Sequence, residues 1–190
     1  MTTAEKASPR DRLLDAAARL SYRDGVSIGI EALCREAGVS KRSMYQLFDS
    51  KDEMLAASLE RRMPGYQARL THPDPASATP RESILYVFEQ LEKRSVEPGY
   101  HGCPYLAVLV EVKDPEHPAS VVAREAKDVL LSTFRTAAER GGARDPELLA
   151  RQLLLVFDGA SARAGARVEH LDDGLTTTTV TALLDASGMR

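Results

Sequence analysis

This sequence predicts an all-α fold, and three observations carry that prediction. Helix starts built from a hydroxyl or carboxylate residue, often followed by proline, recur along the chain. Between them apolar residues fall at i, i+3, i+4 and i+7, and no stretch keeps the period-2 alternation of a half-buried strand. About nine helices are expected on this pattern.

The first helix opens at Ser8-Pro9-Arg10-Asp11. A serine hydroxyl at the N-cap accepts from a free first-turn N–H, proline lacks only an N–H the helix does not use, and the acid complements the helix dipole. Leu13, Ala16, Ala17 and Leu20 form its apolar stripe, and Gly25 stops it. Ile30, Leu33, Cys34 and Ala37 repeat the pattern ahead of Gly38, and Met44, Leu47 and Phe48 make a short third stripe. Ser50-Lys51-Asp52-Glu53 opens a fourth helix through Leu55, Leu59 and Met63, which Pro64-Gly65 ends or kinks.

A turn-rich connector, His72 to Ala78, leads to Thr79-Pro80-Arg81-Glu82, a capping box ahead of Ile84, Val87, Phe88 and Leu91. Asp114-Pro115-Glu116 and Asp145-Pro146-Glu147 read as further starts. Residues 103–112 carry no charge before Glu111 and residues 152–157 carry none, so both read as helices buried on most sides. An amphipathic helix through Val122, Ala126, Val129, Leu130 and Phe134 lies between them and closes near Gly141-Gly142; a last helix covers 177–186.

At 190 residues, 43% hydrophobic and 28% charged, the chain has material for a real core without staples. Its two cysteines, Cys34 and Cys103, are too few for a disulfide scaffold and suit a reducing compartment. The polar start Met1–Lys6 does not read as a signal peptide, and the apolar runs Tyr105–Val110 and Leu153–Phe157 are too short to span a bilayer. A cytoplasmic protein with no membrane partner is expected. The net charge of −3 speaks against a polyanion partner for the chain as a whole. It is unevenly spread: residues 1–62 carry 11 Lys and Arg against 10 Asp and Glu, the remainder 14 against 18. A polyanion is therefore to be sought at the N-terminal end.

Residues 27–48 are the informative part. Gly38 suits the sharp turn between two helices because it takes φ > 0 without steric cost. Ser40 then opens a helix of about two turns, whose apolar residues Met44, Leu47 and Phe48 share one face. The other face holds Lys41, Arg42, Ser43, Tyr45 and Gln46: two cations, two hydroxyls and an amide, the groups that reach phosphate oxygens and base edges. Lys51 follows the cap Ser50, where the next helix presents free N–H groups to a phosphate.

The run Gly38-Val39-Ser40-Lys41-Arg42-Ser43-Met44-Tyr45-Gln46-Leu47-Phe48-Asp49-Ser50-Lys51-Asp52-Glu53-Met54-Leu55, with Leu13-Leu14-Asp15-Ala16-Ala17, Leu20 and Gly25 before it, resembles the TetR family of transcriptional regulators. The resemblance covers residues 8–60. It implies a helix-turn-helix domain over 8–50, a connecting helix over 51–71, and an effector-binding and dimerisation domain over 79–190. It further implies a homodimer presenting two recognition helices to a palindromic double-stranded DNA operator. By position, Ser40, Lys41, Arg42, Ser43, Tyr45, Gln46 and Lys51 form the DNA-binding set. Lys41, Tyr45 and Lys51 would meet phosphates with Ser43 assisting, while Arg42 and Gln46 would read bases, since Arg pairs with guanine and Gln with adenine. The chain departs from the family pattern at two places: Ile28-Gly29 weakens the cap of the second helix, and Ser21 replaces an aromatic and thins the small N-terminal core.

A ligand-responsive repressor released by a small, mostly apolar effector is the function implied, with no cofactor. Phe88, Leu91, Tyr105, Leu109, Phe134 and Phe157 are the candidate pocket residues, with plain core filling as their other reading. Leu153, Gly159, Ala160, Ala162, Leu183 and Leu184 are the candidate dimer interface, small residues there letting a partner helix approach. Asp158 should be paired by Arg163 or Arg167. The four histidines, His72, His101, His117 and His170, show no metal-ligand spacing, and Gly159-Ala160-Ser161-Ala162-Arg163 ends in arginine where a nucleophile elbow needs glycine. No catalytic or metal residues are assigned. Cys34 reads as a small buried hydrophobe and Cys103, behind Gly102, as a packing residue or a redox-sensing thiol. The competing function is a helical interaction adaptor that no longer reads DNA; Lys41, Tyr45 and Lys51 speak against it.

Overall fold

The computed structural model describes residues 7–189, so the polar start Met1–Lys6 lies outside the described residues. Nine α-helices and no strand are found among them: α1 Pro9–Asp24, α2 Ile30–Ala37, α3 Lys41–Leu47, α4 Lys51–Leu70, α5 Pro80–Ser95, α6 Pro104–Val112, α7 Pro118–Arg140, α8 Pro146–Gly165 and α9 Leu175–Ser187. The all-α expectation is met. No helix among the described residues is long and apolar enough to cross a membrane.

Most starts follow the written caps. Ser8 accepts from Asp11 N–H at 3.1 Å, Thr79 and Glu82 close a full capping box, and Asp145 accepts from Leu148 N–H at 2.9 Å. Of the two readings of Pro64-Gly65, an end is not what is found: helix α4 runs on to Leu70. Proline removes only the N–H that would bond the Glu60 carbonyl, and Glu60 is exposed to water. Helix α7 starts at Pro118, not at Pro115. A residue before proline is pushed out of the helical region, so a helix begun at Pro115 would break at His117. Asp114 instead closes a turn, accepting from Glu116 N–H at 2.9 Å, and the His117 ring caps α7 by accepting from Ala119 N–H at 3.1 Å.

The chain forms two compact units. One holds the residues up to Arg62 together with Ala107–Arg124, and the other holds Met63–Leu106 together with the residues from Glu125 onward. In the first, α1, α2 and α3 pack around Leu13, Leu14, Ala16, Ala17, Leu20, Leu33, Cys34, Ala37, Met44 and Phe48, with Met54 of α4. Ser21 borders a void of about 10 Å³ in this core, where a larger side chain would have filled space. Glu111 accepts from Val26 N–H at 2.7 Å, which ties α6 to the loop after α1 within the same unit.

In the second unit α5 packs on α8 and α9, and α8 on α9. Phe88 stacks on Phe134 with ring centroids 5.7 Å apart and meets Phe157 edge-on at 6.2 Å. Backbone crosses backbone where the 101–102 segment meets α8: a Cβ on Gly165 would lie 2.6 Å from the His101 carbonyl. The helices expected to be buried on most sides each leave one side open, Val110 being 60% and Leu155 74% exposed. Absence of charge recorded low polarity there, not enclosure. Asp158 is paired by neither arginine; its partner is Lys127 of α7, buried against the Phe157 ring, whereas Arg163 pairs with Glu169 at 2.8 Å. Since α8 turns Asp158 toward α7, exposed Arg163 lies on another side, and exposed Arg167 falls beyond the end of α8.

Candidate nucleic-acid interface

Helix α2 ends on Gly38, which takes the left-handed conformation at φ 62°, ψ 39°. Val39 N–H then reaches back to the Cys34 carbonyl at 3.0 Å, satisfying an otherwise orphaned acceptor and turning the chain sharply. Helix α2 has no side-chain cap at Gly29, as the Ile28-Gly29 departure implied. Ser40 caps α3, accepting from Ser43 N–H at 3.0 Å, and its hydroxyl lies 2.8 Å from the Ser43 hydroxyl. Those two hydroxyls serve the helix start itself. Phe48, in extended conformation, closes the helix.

Met44 and Phe48 are buried and hold α3 from behind. Leu47 does not share their burial: it is 38% exposed, because one step of about 100° separates it from Phe48 and a seven-residue helix buries a single line. On the open side, Ser40, Lys41, Arg42 and Gln46 are exposed, Tyr45 is 48% exposed and Ser43 is half-buried. Lys51 is half-buried, and its ammonium donates to the Val26 carbonyl at 3.1 Å. That contact fixes its position and leaves two further N–H groups.

Several of the charges around this face are paired with one another. Arg19 pairs with Glu36 at 3.0 Å, Arg23 with Asp24 at 2.6 Å, and Arg61 with Asp11 at 3.0 Å and with Asp15. Hydrogen bonds from Ser8 and the Arg61 charge hold the Asp11 carboxyl below its ordinary range, so it stays ionised beside its partners. Glu53 accepts from Asp49 N–H at 2.7 Å, and Asp52 lies 3.5 Å from the His117 ring. Lys41 and Arg42 have no ion-pair partner among the described residues. Two uncompensated cations, a phenol and an amide thus stand together on a helix clamped from the rear. That arrangement can bind a polyanion and present donors to base edges.

The other predicted residues distribute as follows. Phe88, Leu91, Tyr105, Phe134 and Phe157 are buried in the second unit, while Leu109 belongs to the first unit with α1–α3 and is half-buried. A cavity of about 20 Å³ in the second unit brings Leu91 and Phe157 together with Tyr66, Gln90, Arg94 and Tyr100, residues that periodicity did not single out. It has room for about one water molecule. Cys103 borders the same cavity, buried, with its sulfur 3.3 Å from the Tyr66 hydroxyl. Of the interface candidates, Leu153, Ala160 and Leu184 are buried within the chain itself, Leu183 is half-buried, and Gly159 and Ala162 are exposed on α8. Leu148 and Leu155 continue that exposed line at spacings of seven and four. Leu155 did not stand out within the apolar run Leu153–Phe157, and Leu148 lies outside that run.

Residues 13–58 match the family model described as bacterial regulatory proteins, tetR family. The chain is similar to the crystal structure of a TetR transcriptional regulator from Streptomyces avermitilis, with a TM-score of 0.94 and 60% identity, covering 97% of this chain and 100% of that one. It is also similar to a TetR-family regulator from Streptomyces coelicolor, with a TM-score of 0.86 and 27% identity over 94% of this chain and 95% of that one. An HTH-type transcriptional regulator of Mycobacterium tuberculosis is 42% identical over 52 residues, 27% of this chain; the match spans about a quarter, 26%, of that relative.

Proposed function

We propose that this chain, which belongs to the TetR family of bacterial regulatory proteins, is a ligand-responsive repressor that binds a palindromic operator as a homodimer. The family is one of transcriptional regulators and not of enzymes. The observation that carries the reading is the open face of α3: Lys41, Arg42, Tyr45 and Gln46 exposed, the two cations without ion-pair partners among the described residues, and Met44 and Phe48 buried behind. Lys41, Tyr45 and Lys51 meet phosphates, with Ser40 and Ser43 setting the helix start beside them, and Arg42 and Gln46 read base edges.

Two such helices in a dimer meet half-sites about 34 Å apart, one turn of DNA. The exposed line Leu148, Leu155, Gly159 and Ala162 supports pairing of α8 with a second copy, the small residues permitting close approach. The effector enters the second unit at the cavity beside Leu91 and Phe157. At about 20 Å³ that space must widen to take even a small organic molecule, so an effector binds an opened state better than the closed one. Repression is released to the extent of that difference, about 1.4 kcal/mol for each tenfold loss of operator affinity. The protein works in the cytoplasm.

The test is a titration of the purified protein against its own upstream intergenic DNA at several salt concentrations. Lys41→Ala lowers the salt slope by about one per protomer and weakens all sequences alike. Gln46→Ala relaxes preference at one base pair by about 1–3 kcal/mol. Salt-independent affinity, or Lys41→Ala binding as the wild type does, refutes DNA reading by α3.

A further inference from the structure

We propose that Arg10, in the first turn of α1, is a further phosphate contact of the DNA reader, held ready beside α3 by Phe48. The inference rests on the reading of α3 as the DNA-binding helix and adds a second helix to its contact surface. Two arginines bring the start of α1 against the turn that precedes α3 and against the residue that closes it. Arg12 donates from Nε to the Ala37 carbonyl at 2.9 Å and from its terminal nitrogen to the Gly38 carbonyl at 3.4 Å, just before α3 begins. Arg10 lies with its guanidinium carbon 5.2 Å from the centroid of the Phe48 ring, the residue that closes α3. The first turn of α1 is thus placed along α3.

Arg10 is exposed and has no ion-pair partner among the described residues, in contrast to Arg19, Arg23 and Arg61 of the same unit. The neighbouring carboxylate, Asp11, is taken by Ser8 and Arg61. A guanidinium laid against an aromatic ring keeps its N–H edge free, and the ring limits its rotation, so less freedom is lost when that edge meets an anion. Its forked donors suit a phosphate oxygen pair. The partner chemistry is the sugar-phosphate backbone flanking each half-site, because a residue on α1 lies outside the helix whose side chains face the bases.

The experiment measures affinity against salt for wild type, Arg10→Gln, Arg10→Lys and Lys41→Ala. Two probes are used: the intergenic duplex and a random-sequence duplex of equal length. Arg10→Gln should lower the salt slope by about one per protomer on both duplexes, without altering which operator variants are preferred. Arg10→Lys should keep the slope while losing severalfold in affinity, since a lysine keeps the charge but not the stacked fork. An unchanged slope for Arg10→Gln, where Lys41→Ala lowers it, overturns the proposal and leaves the α3 reading intact. Unchanged slopes for both variants overturn the two together. Loss of preference at particular base pairs in Arg10→Gln also overturns it, by making Arg10 a base reader. Circular dichroism of Arg10→Gln should match wild type, and Arg10→Lys supplies the comparison if it does not: a slope reduced there to the Gln value overturns the role of charge.

Discussion

Helix α9 begins at Gly174, which has no side chain to cap it; Asp173 accepts from Leu175 N–H at 3.1 Å, and the rest of the cap comes from another helix. Glu92 of α5 accepts from Thr177 N–H at 2.8 Å, from the Thr177 hydroxyl at 2.8 Å and from the Thr176 hydroxyl. Glu92→Ala removes all three acceptor contacts. Losing an N-terminal cap costs about 1 kcal/mol, and losing a negative charge at the positive end of the dipole about 0.5 kcal/mol. Thr176 is buried, so its hydroxyl is left without a partner at a further cost of about 1–2 kcal/mol, while half-buried Thr177 turns to water. The expected loss is about 2–4 kcal/mol, or roughly 5–15 °C in Tm for a chain of this size. Glu92→Gln keeps an acceptor and loses the charge, so it should cost about 1 kcal/mol. Adding Thr176→Val to Glu92→Ala should recover part of the loss, because the orphaned hydroxyl is gone. Guanidinium melts monitored by circular dichroism measure the series. A cost below about 1 kcal/mol for Glu92→Ala, or equal costs for Gln and Ala, refutes capping across helices.

Three other outcomes follow from the same packing. Lys127→Met should cost about 2–3 kcal/mol by stranding Asp158, and Lys127→Met with Asp158→Leu should recover most of it; a double variant as unstable as the summed singles refutes the pair's mutual dependence. Leu155→Lys should raise the dimer Kd roughly 100-fold in sedimentation velocity, since two exposed leucines leave the proposed contact at about 1.5 kcal/mol each; an unchanged association state removes α8 from the interface. Burial, with the Cys103 sulfur adjacent, pushes the Tyr66 phenol well above its ordinary pKa. Below pH 10 both folded and unfolded chains keep that proton, and above it only the unfolded chain releases it, so stability falls as pH rises further. Tyr66→Phe should flatten the fall between pH 10 and 11, and an equal slope in both proteins assigns it elsewhere.

Much of the fold was legible because its signals are local. Ser8-Pro9, Thr79-Pro80 and Asp145-Pro146 each cap a helix by contacts within four residues, and the structure has all three. Where two local rules compete the sequence misleads: Asp114-Pro115 has the form of a start, yet Pro118 forbids the helix it would begin. The face of α3 was readable except at Leu47, whose exposure depends on how far the helix rolls against α1 and α2. Tertiary partnerships were not readable. Nothing near Asp158 in sequence names Lys127, thirty-one positions away, nor does Lys51 announce the Val26 carbonyl. Leu109 looked like a pocket residue because its helix is apolar, while unit membership depends on the whole chain path. Nothing near Arg10 in sequence announces the Phe48 ring it lies against.

Helix α3 divides its labour between non-overlapping side chains: Met44 and Phe48 anchor it, Ser40 and Ser43 start it, and Arg42 and Gln46, the proposed base readers, do neither. Retargeting is therefore open to this regulator at little thermodynamic expense. On that proposal, randomising two codons would yield variants that melt alike and choose different operators, a ready route to orthogonal switches from one scaffold.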